Sequence, residues 1–336
     1  MLQVIQFSHP GDEASKSQNT LKLVPPVSGY PFVSPWLACG QSHRRKFISD
    51  IGDYLDAQGK VHSQEDLRFW GEAEWDTAFK NISGVKKQKT TGSPFPLYEH
   101  NIQVQIPKSL QSLGSNLANT DPYVFGSHFY YSNCRQDRVL KYHDLSAGSM
   151  ILFGSNKMWN GKWHFLLDTV FVVEKELCEI VIDSHGRVHY YDSSEVPEGV
   201  QKRVAGQMVG GSGKCPVPSE RFKKRVLRPL GAHCAEMQRS NKELHFKLFQ
   251  GKAPAGNDFT TPFSFVPVKP DSVYYPRMVL DHLACPGVTK SIKLANDRYG
   301  VNSTTVQNWA TMQCLWNALV KTVRSQGYCP AWNFQE

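Results

Sequence analysis

The feature that most restricts the fold is a pair of apolar runs in the middle of the chain. Ser149 to Gly154 reads SMILFG, and His164 to Val173 reads HFLLDTVFVV, with a turn rich in Gly, Asn and Trp around residues 160–161 between them. The spacing predicts a β-hairpin buried on at least one face. Cys178 to Asp183 and Arg187 to Tyr191 extend it, with Ser184, His185 and Gly186 as a turn.

The other elements fall around that hairpin. Leu2 to Phe7 alternates and favours a first strand. Prolines at 25, 26, 31 and 35 force an extended connection. His43 to Tyr54 reads as a short helix or a basic loop entering one, and Leu67 to Trp70 as a strand after a turn at Gly59. Lys80 to Pro107 is irregular. Glu243 to Phe249 and Phe263 to Val268 are expected strands. Ser303 to Arg324 is the best helix, capped by Ser303 or Thr304 and ended by Gly327. The expected class is α+β with β predominating: a mixed-sheet or barrel-like unit over residues 1–270, then a C-terminal helical segment over 271–336.

Composition fits a globular chain, with 40% apolar and 20% charged residues over 336 positions. No apolar run reaches the roughly 18 residues that span a bilayer, and no signal peptide is readable, so a cytoplasmic protein without membrane contact is expected. The eight cysteines have no close pair, which predicts free thiols rather than a disulfide framework. The net charge of +8 is local. Residues 201–252 hold 12 basic and 3 acidic residues, so the rest of the chain is near neutral. A basic block on a neutral body suits a polyanion, because each phosphate contact releases a condensed counterion. The bland reading is a solubilising surface loop.

Several familiar chemistries are excluded. GQMVGGSGKC lacks the first glycine of a phosphate loop, and Cys215 stands where a Mg²⁺-binding hydroxyl belongs. Zinc-deaminase and H-E-x-x-H signatures are missing, and His185 and His189 sit in an expected hairpin where a four-residue spacing does not converge. Nothing near Cys134 favours a thiolate. No metal or cofactor is expected.

Three segments set carboxylates among aromatics. In FWGEAEWD, Glu72 and Glu74 share one side of a strand end while Trp70 and Trp75 supply flat walls, a setting that can raise a carboxyl pKa or face a cationic sugar. In TDPYVFG followed by YYSNC, Asp121 can activate water, Tyr123 and Phe125 can stack on an extruded base, and Asn133 can bond a base edge. The third is Asp168, whose plainer reading is a pair with a basic residue. Phosphate grip falls to Arg44, Arg45 and Lys46 in HRRK, and to Arg221, Lys223, Lys224 and Arg225 in RFKKR. Phe263-Ser264-Phe265 reads as a core strand or a wedge.

Taken in order, HPG near the start, HRRKF, FWGEAEW, NTDPYVFG, YSNC, GSMILFGS, LDTVFVV and PFSFVP resemble an uncharacterised bacterial family, over most of residues 1–270. The central hairpin also resembles the strand pair of PUA-like folds, including the ASCH and EVE groups. The resemblance implies DNA modification or phage defence, and its closest suggestion is a DNA glycosylase that excises glucosylated hydroxymethylcytosine.

The expected function is removal of a modified base from DNA. The basic segments hold the phosphates, the rings receive a flipped base, and Asp121, Glu72 or Glu74 directs water to C1′. The alternatives are a non-catalytic reader of modified bases and an RNA-directed module or nuclease.

Overall fold

The computed structural model describes residues 1–9, 45–72, 79–80, 101–102, 123–125, 128–131, 136, 145–159, 161–182, 188–192, 244–270, 277–286, 291–297 and 300–334. In chain order the first strands are β1 (Leu2–His9), β2 (Arg45–Leu55), β3 (Val61–Glu72), β4 (Phe79–Lys80), β5 (Asn101–Ile102), β6 (Tyr123–Phe125) and β7 (His128–Tyr131). The central strands are β8 (Met150–Trp159), β9 (Lys162–Ile182), β10 (Val188–Asp192) and β11 (Leu244–Gly251). Then come β12 (Val266–Val268), β13 (Met278–Val279), β14 (His282–Leu283), β15 (Ile292–Lys293), β16 (Gly300–Val306), helix α1 (Trp309–Ser325) and β17 (Cys329–Trp332).

The β8–β9 hairpin forms as the sequence predicts, with Ile151 opposite Phe171 and Leu152 opposite Val170. Consecutive residues of both strands are buried over this stretch, so both faces are covered; within the sheet β1 lies parallel beside β8, and β11 and β13 pair with β9. The register slips between Phe153 and Gly154. A Cβ on Gly154 would sit 2.1 Å from the Leu166 carbonyl oxygen, so only glycine lets the strands approach there.

Strand β9 is longer than expected. The polar run Glu174-Lys175-Glu176 continues the strand instead of ending it. Its charges are matched from β11: Lys247 Nζ donates to Glu176 at 2.8 Å and Gln250 donates to Glu174. The nine-stranded sheet runs β16-β1-β8-β9-β11-β7-β6, with β10 and β13 also on β9, and it curls as a half-barrel. A six-stranded sheet runs β12-β17-β2-β5-β4, with β3 on β2.

Two local expectations are corrected. Residues 45–55 form a strand, not a helix. Its alternating pattern pairs along β3 from Arg45 opposite Glu72 to Leu55 opposite Val61, and Gly52 packs where a Cβ would meet the Phe334 ring at 2.9 Å. Helix α1 starts at Trp309, and neither Ser303 nor Thr304 caps it. The β-prone residues 300–306 pair with β1 along its length, and Asn308 caps instead, its Oδ1 accepting from the Thr311 N–H at 2.9 Å. Gly327, at φ +76°, follows the helix as expected.

One continuous core joins the sheets and the helix. Phe7 stacks on Phe153, and Tyr131 meets Phe153 and Phe171 edge-on. Phe263 bridges to the helix through Trp316 at 5.3 Å and to β17 through Trp332 at 5.5 Å. Phe263 and Phe265 are fully buried, so PFSFVP is core. After residue 270, β13, β16 and β17 hydrogen-bond into the same sheets as the strands before it, while β14 and β15 pair with each other. Among the described residues, no helix is long and apolar enough to cross a membrane.

Candidate functional site

Most of the predicted site residues lie outside the described residues: Arg44, Glu74, Trp75, Asp121, Asn133, Arg221, Lys223, Lys224 and Arg225. Five more are placed by backbone alone. Arg45, Lys46 and Glu72 lie at the far ends of β2 and β3, and the register sets Arg45 directly opposite Glu72. Tyr123 and Phe125 lie on β6, at one edge of the nine-stranded sheet, opposite Tyr130 and His128. Trp70 is on β3 in the other sheet and is only 6% exposed, so a base reaches its ring only if the residues over it move.

Asp168 takes the structural role. Arg277 Nη2 donates to both of its oxygens, at 2.8 and 2.9 Å, and Nε donates to Oδ1 at 3.0 Å. Arg277 also donates from Nη1 to Ser155 Oγ at 2.7 Å and from Nη2 to the Leu166 carbonyl. Both partners are sealed from solvent, at 2% and 3% exposure. A carboxylate held this way balances a buried cation and is not available to activate water.

Two residues of the basic block are also engaged inside the fold. Lys247 pairs with Glu176, and Lys252 lies 5.7 Å over the Trp309 ring. The block's other ten basic residues lie outside the described residues.

A pocket that sequence reasoning did not anticipate lies along α1, with a volume of about 530 Å³. Its floor comes from Leu55 at the end of β2, Phe259 and Phe263 before β12, Trp316 and Val320 of the helix, and Pro330 of β17. Helical spacing explains its wall: Trp316 and Val320 follow one apolar row, and Asn317, Lys321, Arg324 and Ser325 follow the adjoining polar row at steps of three or four. The Trp316 indole N–H donates to the Phe263 carbonyl at 3.4 Å, tying the helix to the floor. Asn317 accepts from Gln313, which also donates to the Thr260 carbonyl at 2.6 Å. Phe263 and Trp316 are almost wholly buried, whereas Phe259 is only half-buried and is the ring open to an occupant.

The charge on this wall is one-sided. Residues 300–335 contain Lys321 and Arg324 and no acidic residue. The described lining of the pocket therefore carries two cations and no carboxylate. Arg324 Nε is shielded from solvent and has no hydrogen-bond partner among the described residues. A buried donor left unmatched costs free energy.

Close by, Lys269 Nζ lies 4.4 Å over the Tyr328 ring, and burial lowers the lysine's pKa. Burial pushes the Tyr328 hydroxyl far above its ordinary range, with the Arg277 charge opposing, so the phenol stays protonated. Among the described residues, no group of three His, Cys, Asp or Glu is placed to hold a metal ion.

The sequence did carry a signal for this site: Lys321 and Arg324 beside Trp316 and Val320, with no acid nearby. It is indistinguishable in one dimension from an ordinary amphipathic helix. No protein-family model matches the sequence, and neither a curated protein nor a solved structure matches the chain.

Proposed function

We propose that the protein binds nucleic acid and holds one unpaired, modified base in the pocket along α1. The observation that carries this reading is the pairing of a half-buried ring, Phe259, with two unopposed cations, Lys321 and Arg324, one of which has an unmatched buried donor. A base lies on the ring, its phosphate meets the cations, and the basic stretch of residues 202–242 meets neighbouring phosphates. Stacking of this kind is worth about 1–3 kcal/mol per base, comparable with the cost of unstacking.

The described lining has no carboxylate, which favours a reader over an excising enzyme. A DNA glycosylase remains the second reading, and it rests on Asp121, Glu72 or Glu74 reaching the sugar. The test is binding of short DNAs with plain or modified bases, followed by mild alkali. Phe259→Ala and Arg324→Ala should each weaken binding about tenfold, in line with the loss of one stacked base or one phosphate contact. Binding without alkali-sensitive breaks identifies a reader, and breaks at the modified base identify the glycosylase. Unchanged binding by both variants overturns the pocket assignment.

A further inference from the structure

The eight cysteines show no pairing in sequence, yet the fold brings two of them together. Cys285 follows β14 and is 8% exposed, and Cys314 lies on α1, half-buried. Helix α1 packs against β14 here. Cys314 Sγ is 3.8 Å from the carbonyl oxygen of Pro286, the residue next to Cys285. The two thiols are near enough to interact electrostatically.

We propose that Cys285 and Cys314 are a reversible redox pair, closing as a disulfide between α1 and the β14 segment when hydrogen peroxide is the oxidant. Cys314 reacts first because it is the more exposed thiol. Burial first, and then the neighbouring Cys314, push the Cys285 thiol up to about 11, so at neutral pH Cys285 keeps its proton.

In the first step the Cys314 sulfur takes one oxygen of hydrogen peroxide, and its proton goes to the departing hydroxide. The O–O bond breaks, and the thiol becomes a sulfenic acid while one water leaves. In the second step Cys285 attacks the Cys314 sulfur. The S–S bond forms, and the hydroxyl departs as a second water with the Cys285 proton. The two thiols together lose two electrons and two protons, and the peroxide is reduced to two waters. The bond would clamp the helix that carries Lys321 and Arg324, through two residues that do not line the pocket. The proposal does not depend on what that pocket holds.

The test uses the full chain. The protein is treated with hydrogen peroxide, remaining thiols are alkylated, and the digest is read by mass spectrometry. A peptide joining Cys285 to Cys314, lighter by two hydrogens than its parts and released by dithiothreitol, is expected, with a higher melting temperature for the oxidised chain. In Cys285→Ser, a dimedone adduct should appear on Cys314 instead. Recovery of both cysteines as alkylated thiols after peroxide overturns the proposal, as does a disulfide from either one to a different cysteine. The native-chain measurement holds even if the variant does not fold.

Discussion

Arg277 and Arg324 occupy opposite situations in one fold. Arg277 is sealed in the nine-stranded sheet and spends every nitrogen on Asp168, Ser155 or the Leu166 carbonyl. Arg324 lines an open pocket, with no acidic group in its described lining and an Nε that nothing described accepts from. The first arginine is finished by its own chain and holds strands together. The second keeps one buried donor without a described acceptor, which the proposed pocket occupant is meant to explain.

The largest effect that can break this comparison is on the sealed pair. Asp168→Ala leaves Arg277 buried without its counter-charge and should cost about 3–5 kcal/mol in denaturant unfolding. Replacing both partners with apolar residues of similar volume should recover most of that loss. A cost below about 1 kcal/mol for Asp168→Ala, a surface-like value, would show that water reaches the pair and that Arg277 is no more committed than Arg324.

Arg324→Ala should do the reverse. Its unfolding free energy should change by no more than about 0.5 kcal/mol, as for a residue with no structural partner. Nucleic-acid binding should lose about one unit of salt slope along with its affinity. A large stability loss with unchanged binding would turn Arg324 into a second Arg277 and end the contrast.

A smaller effect sharpens the pocket side. Asn308→Ala removes the cap of the helix that forms the pocket wall and should cost about 1 kcal/mol. Because the cap lies at the opposite end of α1 from Arg324, binding should fall less than stability does.

The smallest effect concerns acid. Asp56 follows Leu55 of the pocket floor, and its carboxyl is held below its ordinary value first by the hydrogen bond with His62 and next by the Lys60 N–H. A depressed pKa means the contribution is fully present above the unfolded value and is lost as pH falls through the folded one. The window therefore lies below about pH 4. Amide exchange should rise at the β2–β3 turn there before it rises in β8 and β9, and Asp56→Asn should remove that early step.

The residues that were legible in sequence and those that were not differ in a regular way. Strands β8 and β9 could be read from their apolar runs bounded by turn signals, and β1 from its alternation. The start of α1 was misplaced because Ser303 and Thr304 are good caps locally, and only pairing with β1 claims them for a strand. Residues 45–55 misled for the same reason: their strand character depends on β3 opposite. The predicted carboxylates Glu74 and Asp121 lie outside the described residues, and Trp70 proves buried, so the described candidate site rests on Phe259, Lys321 and Arg324 instead.

By itself the sequence determined a β-rich core around one apolar hairpin, a C-terminal helix and a local excess of positive charge, because those follow from composition and period along the chain. Which arginine is neutralised, which ring stays open, and which two of eight cysteines meet were decided only by tertiary structure. Each depends on contacts between segments remote in sequence, and solvation and charge pairing are properties of neighbours in space.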